Sequence, residues 1–431
     1  MIDLSVKFAG IDFRSPIGIA AHGPSVPRRD LVTPEVHMDK WRKYYEAGVG
    51  AITTGTIFFD EMQDARGSIR FCPISTKGFA ERELFVTAAT MPDCIWPRSP
   101  GLGAVEKAKK EFKDMRVIAS IMGPQVDLKG WGDLALEAQQ AGADALELNM
   151  GSVMMMKSAE KALGAITSKR ALPAGAIIGL VPEVVGKIVK AIKKQVSVPI
   201  IIKVTPELGF FGLLGAIPFY KEAGVNGLVC DHSVMTIAPP DIYNGGATTH
   251  PHFKTTTWWS SCGPWNRQTC YRDVACVGKY APDLDVEACG GLVIPENVIE
   301  VMMLGAKMVQ LSAGIFFNGM SYPARVVKFF KRYMEEQGYK SLEDFRSLGL
   351  KYIAEMADVQ AEYKEQVGKL IAHVDYMKCA GADACRECLE TWCLATSEED
   401  GEVKVNPDLC CGCNLCVIRC PNDARSLGWR E

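Results

Sequence analysis

Nine of the 16 cysteines of this 431-residue chain lie in its last 53 residues. Four of them, Cys410, Cys413, Cys416 and Cys420, have the spacing C-x2-C-x2-C-x3-C, and Pro421 follows directly. A looser upstream run has the spacing C-x5-C-x2-C-x4-C and consists of Cys379, Cys385, Cys388 and Cys393. Close spacing on a tight loop lets three thiolates reach one inorganic cluster, which needs four.

The regular run has the spacing of a bacterial ferredoxin, in which the fourth cysteine of each run ligates the other cluster. The two runs therefore predict two [4Fe-4S] clusters held by these eight cysteines, with Cys411 as a spare thiol. Zinc and disulfides are the alternatives. Zinc sites usually pair cysteines across a longer gap. Disulfides need an oxidising compartment, whereas the opening residues MIDLSVKFAG show no signal peptide.

Composition narrows the class of protein that precedes this segment. Lys and Arg number 48 and Asp and Glu 51, so the net charge is −3, which argues against a nucleic-acid surface. No apolar run reaches the roughly 18 residues of a membrane span. Together with 48% hydrophobic residues, this predicts a globular, soluble cytoplasmic protein.

Short apolar runs alternate with helical patterns from Ser15 to about Gln337. Several of these runs are almost continuously apolar, as in parallel strands buried on both faces. Eight such units predict a (β/α)8 TIM barrel, with function at the C-terminal strand ends; a doubly wound sheet is the alternative. The predicted domains are a barrel over 1–340, a helical linker over 341–375 and a ferredoxin-like domain over 376–431. The predicted strands are Ile17–Ala21, Ala51–Thr54, Val117–Met122, Ala145–Met150, Pro199–Thr205, Gly227–Asp231, Val286–Cys289 and Met308–Leu311.

Two insertions interrupt this alternation. One runs from Phe58 to about Lys113, between strands 2 and 3, and the other from Ser233 to Gly263, after strand 6. Both leave C-terminal strand ends, where barrel enzymes carry their function. Both are therefore expected to cover the functional site.

Small and polar residues end several predicted strands. Strand 7 ends Cys-Gly-Gly and strand 8 ends Gln-Leu-Ser-Ala-Gly, so backbone N–H groups there can cradle a phosphate, although turn glycines are a common alternative. Lys203, at the end of strand 5, offers a cation to an anionic ring edge, or a buried ion pair with Glu147. Asn149 ends strand 4, where its amide can both donate and accept hydrogen bonds.

At this point the chain resembles a known family. Val117–Met122, Gly142–Asn149 and Lys203–Pro206 resemble the barrel of dihydropyrimidine dehydrogenase, and the dihydroorotate dehydrogenase group is similar. Cys413–Cys416 resembles the cluster end of the same family. The resemblance implies an FMN in the barrel and electron transfer between FMN and the clusters. The residues it implies as FMN contacts are Ala21, Gly23, Thr54, Asn149, Lys203, Gly263, Gly290, Gly291, Ser312 and Ala313.

The same resemblance implies partners. Because no nicotinamide domain is needed in such a chain, a ferredoxin or an NAD(P)H-oxidising FAD subunit would exchange electrons with it in a homo- or hetero-oligomer. No G-x-G-x-x-G motif follows a predicted strand to contradict this.

The departures from the family concern the substrate. Gly55 stands where the family has a lysine near the flavin, and Ile178 stands where it has a proton-transferring cysteine or serine. Asp231-His232 replaces a substrate-reading Asn-Thr, and only Asn149 of the amide contacts is clearly kept. Unpaired polar groups are costly in a site, so uracil and thymine are not the expected substrates.

Two histidines can replace the missing acid. His232 follows strand 6 and His22 follows strand 1, and histidine suits proton transfer near neutral pH; each could instead hydrogen-bond the flavin or a loop. The sequence thus predicts an FMN- and iron–sulfur-dependent oxidoreductase that reduces or forms an activated C=C bond of a cyclic or conjugated small molecule. The alternatives are an ordinary dihydropyrimidine dehydrogenase subunit and an electron-transfer subunit without substrate chemistry.

Overall fold

The chain forms two compact units, the barrel unit Met1–Lys351 and the cysteine unit Tyr352–Glu431. The structure is a computed structural model. It describes residues 2–21, 34–59, 70–74, 85–89, 95–153, 159–170, 172, 174–249, 254–256, 258–386, 389 and 393–430. Each unit has its own secondary structure, and the sheets of one do not pair with those of the other among these residues.

Eight parallel strands close into a barrel in the first unit. The strands follow one another around the ring in chain order. The ring is closed because β8 pairs with β1 and β3 pairs with β4. The predicted (β/α)8 barrel is confirmed, and each strand lies within two residues of its predicted ends. The strands are β1 Ile17–Ile19, β2 Ala51–Thr53, β3 Arg116–Met122, β4 Ala145–Asn149, β5 Ile200–Lys203, β6 Gly227–Cys230, β7 Asp285–Cys289 and β8 Met308–Leu311.

A helix follows each strand and packs its apolar face on the barrel. Helix α4 illustrates the cause: Pro182 occupies its first turn, where no backbone donor is lost, and Val185, Ile188 and Val189 recur at helical spacing and are fully buried. No helix among the described residues is long and apolar enough to cross a membrane. The helices are α1 Pro34–Glu46, α2 Arg98–Glu111, α3 Leu128–Gln140, α4 Pro182–Ile192, α5 Gly209–Ala223, α6 Arg267–Tyr280, α7 Glu296–Met303 and α8 Tyr322–Gln337.

The barrel unit also contains shorter helices, turns and strands. Short helices occupy Ala159–Ser168, Ala176–Gly179 and Ala313–Asn318, and single 3-10 turns occupy Pro206–Leu208, Pro264–Asn266, Leu342–Asp344 and Leu350–Tyr352. Strands Thr56–Phe58 and Ile95–Trp96 extend the sheet beside β3. Two small hairpins pair Val6–Phe8 with Ile11–Phe13 and Pro240–Asp241 with Ala247–Thr248.

The two predicted insertions pair with each other. Strands Arg70–Ile74 and Phe85–Ala89 come from the first insertion, and Val234–Ile237 and Trp258–Cys262 come from the second. They form one antiparallel sheet, in which Ser260 lies opposite Ala88. The chain therefore joins the segments that leave β2 and β6 into a single structure, here called the insertion sheet.

The cysteine unit is built from short elements. Helix Met356–Gln366 leads to strand Leu370–Val374, which pairs antiparallel with Arg425–Trp429. A hairpin joins Thr396–Glu399 to Glu402–Val405, and single turns occupy Ala382–Cys385 and Leu415–Ile418. The sequence predicted helices through Ala372, which is wrong for the last residues. Ile371 and Ala372 are buried in the strand pairing, and that long-range contact decides their conformation.

Candidate functional site

A buried polar network spans the interior of the barrel. The Lys203 Nζ donates to Gln310 Oε1 at 2.7 Å, and Gln310 Nε2 donates to Glu147 Oε2 at 2.8 Å and to Glu287 Oε2 at 3.2 Å. All four side chains are at most 3% exposed. The predicted pairing of Lys203 with Glu147 is therefore indirect, because the Gln310 amide lies between the two charges.

Two carboxyl groups share one cation in this network. Burial lowers the pKa of Lys203, but nearby Cys289, Glu147 and Glu287 outweigh burial and raise it. Burial, and then the neighbouring Glu147, raises the pKa of Glu287 to about 8, against the opposing effect of Lys203 and Gln310. One oxygen of each carboxyl group has no hydrogen-bond partner among the described residues. Glu287 is thus mostly protonated at neutral pH.

This protonation predicts how stability varies with pH. Since the pKa of Glu287 rises from 4.5 to about 8 on folding, the folded state binds a proton that the unfolded state loses above about pH 4.5. The free energy of unfolding therefore falls as the pH rises towards 8, by up to about 4 kcal/mol between pH 5 and 8 at about 1.4 kcal/mol per unit. Glu287→Gln removes this loss of stability. The apparent Tm of the variant minus that of the parent protein should therefore increase as the pH rises.

Circular dichroism melting at pH 5.5, 7 and 8 measures this difference. Glu336→Gln is the control, because Glu336 is 62% exposed on α8. An apparent Tm difference between Glu287→Gln and parent that stays constant with pH would mean that Glu287 is already ionised in the folded protein.

A second polar cluster surrounds Asn149 at the end of β4. Asn149 Nδ2 donates to Thr56 Oγ1 at 2.9 Å, and Asn149 Oδ1 accepts from the backbone N–H groups of Gly151 and Ser152 at 3.2 and 3.1 Å. Thr56 in turn contacts Ser120 Oγ at 3.0 Å. Thr54 Oγ1 accepts from Ser120 N at 3.2 Å. The predicted contacts Thr54 and Asn149 thus belong to one buried set, which fixes the orientation of the amide.

The loops after β7 and β8 are held against each other. Tyr322 Oη donates to the Leu292 carbonyl at 3.2 Å, and Asn318 Nδ2 donates to the Val293 carbonyl at 2.8 Å. Within the described residues, the backbone N–H groups of Gly291 and Ser312 donate no hydrogen bond. The loops that carry the predicted contacts Gly290, Gly291, Ser312 and Ala313 thus form one compact rim.

Gly291 has a structural role that the sequence did not reveal. Its φ is +67°, and a Cβ there would stand 2.5 Å from the backbone nitrogen of Arg267 at the start of α6. A bulky residue at this position therefore displaces α6 whether or not a phosphate binds nearby. Loss of FMN in such a variant would therefore not report on phosphate approach alone.

His232 lies directly after the end of β6 and is half-buried. Its Nδ1 lies 2.8 Å from Ser233 Oγ, which is hydrogen-bonded to Ser260 of the insertion sheet. Its carbonyl accepts from Asn266 Nδ2 at 2.9 Å. Its Cβ would lie 2.5 Å from a Cβ on Gly151, so only glycine at position 151 leaves room for this ring. Residues after β4, after β6 and in the insertion sheet therefore position His232.

Asp231 does not orient His232. Its side chain is fully buried, and neither carboxyl oxygen has a hydrogen-bond partner among the described residues. Burial, and then the nearby Asp273, raises the pKa of Asp231 well above its usual range. Asp273 itself holds Arg272 through two contacts of 2.6 and 2.9 Å. Asp231 is therefore a neutral acid packed near α6.

The two family departures in the barrel have structural causes. A Cβ on Gly55 would lie 2.3 Å from Nε1 of Trp96, which is buried and packs on His37 with ring centroids 4.7 Å apart. Ile178 lies in the short helix Ala176–Gly179, is 0% exposed and belongs to the main apolar core. Neither position can present a polar group to a bound molecule.

The remaining candidate residues either lie outside the described residues or follow strands. His22, Gly23 and Cys388 lie outside the described residues, as do Met154–Met156, His250 and His252. Ala21 follows β1 and is half-buried. Gly263, with φ of +135°, ends the last strand of the insertion sheet. The FMN contacts and the catalytic histidines stay predictions.

The cysteine unit separates its thiols into two sets. A cavity of about 250 Å³ is lined by the predicted ligands Cys393, Cys410, Cys413 and Cys416, and also by Cys411. A smaller cavity is lined by Cys379, Cys385 and Cys420. Each set combines the first cysteines of one run with the last cysteine of the other, which is the crossed pattern of two-cluster ferredoxins.

Backbone N–H groups already point at two of these thiols. Ala372 N lies 3.4 Å from Cys410 Sγ, and Ala424 N lies 3.2 Å from Cys420 Sγ. Cys411 and the predicted ligand Cys413 are both exposed, so the assignment of Cys411 as the spare thiol rests on the cysteine spacing. Among the described residues, no three His, Cys, Asp or Glu side chains are grouped as they would be around a single metal ion.

Sequence reasoning missed Gln310, Glu287 and Trp96 as parts of the site. A charged residue inside the buried strand Asp285–Cys289 was the available signal for Glu287, because unpaired charges are rare in such strands. Gln310 gave the same kind of signal in the apolar strand β8. Trp96 gave no such signal, because most of the first insertion separates it in sequence from its contact Gly55.

Comparison with known proteins adds a family context. Residues 403–426 match the family model of the 4Fe-4S binding domain. The chain is 24% identical over 385 residues to the NAD-dependent dihydropyrimidine dehydrogenase subunit PreA of Escherichia coli, covering 89% of this chain and 84% of the relative. It is 26% identical over 351 residues to the catalytic subunit of dihydroorotate dehydrogenase B (NAD(+)) of Pyrococcus abyssi, covering 81% and 99%. It is 23% identical over 376 residues to the chloroplastic dihydropyrimidine dehydrogenase (NADP(+)) of Arabidopsis thaliana, covering 85% and 81%.

Proposed function

We infer that this chain, a homologue of the dihydropyrimidine and dihydroorotate dehydrogenases as its sequence predicted, is an oxidoreductase acting on a CH–CH bond. It would use FMN in the barrel and two [4Fe-4S] clusters in the cysteine unit. The observation that carries this proposal is the division of the cysteines into two crossed sets in a chain that also forms a parallel (β/α)8 barrel. Single-electron carriers and a barrel with polar strand ends belong together only in a redox enzyme.

The donor set at the barrel mouth fits a flavin phosphate. Lys203 has three N–H donors, of which Gln310 takes one, and Asn149 is fixed by its neighbours. Gly290, Gly291, Ser312 and Ala313 lie on the rim formed by the loops after β7 and β8, where barrels commonly bind phosphate. When bound, FMN supplies hydride chemistry and converts between electron pairs and single electrons. Thr54, Ala21 and Gly263 complete the proposed contacts, with Gly23 outside the described residues.

The cysteine sets predict the iron content and its response to mutation. Protein isolated without oxygen should contain about eight iron atoms and eight sulfides, because the larger set offers four thiolates and Cys388, outside the described residues, is the predicted fourth ligand of the smaller set. Cys379→Ser should lose about half of this iron, since Cys379 lines the smaller cavity with Cys385 and Cys420. Cys411→Ser is the matched control and should keep all of it, because Cys411 falls outside the C-x2-C-x2-C-x3-C spacing. Iron and sulfide analysis of the purified variants measures this.

The opposite results have distinct meanings. Unchanged iron in Cys379→Ser would remove Cys379 from the ligand set. Zinc in place of iron, or one cluster in the parent protein, would contradict the two-cluster assignment.

In the proposed reaction, His232 transfers the proton that accompanies hydride transfer. The substrate is a cyclic or conjugated small molecule with an activated C=C bond, and the reaction runs in either direction. His232 is positioned through Ser233 and Asn266, and histidine can donate or accept a proton near pH 7. His22 is the alternative.

Electrons come from a partner in this proposal. The relatives' names describe a subunit and a catalytic subunit of NAD-dependent enzymes, which supports a redox partner and an oligomeric assembly. The partner would be an FAD subunit that oxidises NAD(P)H, or a ferredoxin.

Anaerobic purification followed by flavin and iron analysis tests the proposal. The expected result is one non-covalent FMN per chain. A screen of conjugated cyclic compounds, read by reoxidation of the reduced flavin, then identifies the substrate. FAD, or a barrel without flavin in the presence of intact clusters, would contradict the proposal, and the latter would favour a subunit that only relays electrons.

A further inference from the structure

Arg425 is a buried cation of the cysteine unit. It follows Cys420 by one short turn and begins strand Arg425–Trp429. Its side chain is 6% exposed, and neither Nη1 nor Nη2 has a hydrogen-bond partner in the described part of the chain. An unpartnered buried guanidinium is strongly destabilising. Its retention therefore indicates a ligand-dependent partner.

The surroundings of Arg425 are thiols from both cysteine sets. It lines the smaller cavity together with Cys379, Cys385 and Cys420. Burial lowers the pKa of Arg425, but Cys416 and then Cys385 outweigh burial and raise it. Cys416 lines the larger cavity. The guanidinium thus lies close to one thiol of each set.

We propose that Arg425 tunes both clusters by donating N–H groups to a cysteine sulfur of each ligand set and so raises their reduction potentials. This rests on the proposed function, in which both sets hold a cluster. Reduction adds negative charge to a cluster, and a fixed positive charge in a low-dielectric interior stabilises that state more than the oxidised one. Hydrogen bonds to cluster sulfurs act in the same direction.

The chemistry of arginine suits this position. The guanidinium stays charged at every accessible pH and has five N–H donors in a planar fork. One side chain can therefore reach two sulfur atoms at once, which the single ammonium of lysine does less well. Arg425 contacts neither substrate nor reacting atoms, so it is a positioning residue for electron transfer.

Redox titration of the full-length protein, followed by electron paramagnetic resonance, tests the proposal. Arg425→Gln should keep about eight irons and shift the reduction equilibrium of at least one cluster at least tenfold towards the oxidised form, which is a change of about −59 mV for one electron. Arg425→Lys should shift it less, because the charge stays. Arg430→Gln is the control, since Arg430 is exposed and pairs with Asp408.

The outcomes separate the two proposals. Intact clusters with unchanged potentials in Arg425→Gln would overturn the proposed role of Arg425 and leave the two-cluster assignment unaffected. If Arg425→Gln loses iron, Arg425→Lys decides: a lowered potential supports the proposal, and parent-like potentials overturn it. A parent protein with a single cluster would overturn both the two-cluster assignment and the bridging role of Arg425.

Discussion

Uracil, thymine and dihydroorotate should each turn over at far less than about 1 s⁻¹, the lower end of typical enzyme rates. A pyrimidine ring presents several N–H and C=O groups, and each one left unpaired in a site costs about 1–3 kcal/mol. Three such groups reduce the rate by at least about a hundredfold at about 1.4 kcal/mol per factor of ten. This effect is expected because only Asn149 is clearly kept among the polar substrate contacts of the resembling family.

The structure strengthens this expectation at each position. Gly55 faces the Trp96 ring, Ile178 is inside the apolar core, and Asp231 is fully buried. Even the retained Asn149 uses its oxygen for two backbone N–H groups and one N–H for Thr56. The amide that remains is therefore already largely satisfied by the protein.

Steady-state assays with a chemical reductant measure these rates, with the Escherichia coli dihydropyrimidine dehydrogenase as the positive control. Gly55→Lys alone should not restore activity, because its Cβ would clash with Trp96. Gly55→Lys combined with Trp96→Ala removes the clash and is the informative variant. Turnover of any of the three compounds at ordinary enzyme rates by the parent protein would contradict the prediction.

The parts of the fold that the sequence predicted correctly depend on local signals. These signals each lie within a short stretch of sequence, as in the apolar run Ile200–Lys203 and the cysteine spacing from Cys410 to Cys420. They therefore placed the eight strands and the crossed thiol sets. The strand Leu370–Val374 was missed because its conformation depends on pairing with Arg425–Trp429, far along the chain.

The site was less predictable because its contacts are long-range. Lys203 and Gln310 are 107 residues apart in sequence, and their hydrogen bond exists only because β5 and β8 face each other across the barrel. The same holds for Gly291 beside Arg267 and for Gly151 beneath His232. The sequence predicts a site at the strand ends, but only packing shows which neighbour fixes each side chain.

Replacing His232 should remove most of the substrate reaction and leave electron transfer intact. His232→Asn keeps a polar side chain of similar reach but cannot transfer a proton near pH 7. Loss of one general acid or base typically costs about 10²–10⁴-fold in rate. His232→Asn should therefore lose at least about a hundredfold in kcat on the true substrate, while FMN content, iron content and flavin reduction in the absence of substrate stay at parent levels.

Three further variants decide how this loss is read. Ser233→Ala removes the partner of Nδ1 and should have a smaller effect that changes the pH profile, because the ring remains but its tautomer is less defined. His373→Asn makes the same substitution at an exposed position of a strand in the cysteine unit and should leave kcat unchanged.

His22→Asn separates the two candidates. Near-normal turnover in His232→Asn with loss in His22→Asn would move the acid to His22, whereas full activity in both would assign proton transfer to water or to another residue. Loss of turnover in His232→Asn with activity kept in His22→Asn is the outcome that agrees with the geometry, since Ser233 contacts the His232 ring, Asn266 donates to its carbonyl and Gly151 leaves room for its side chain.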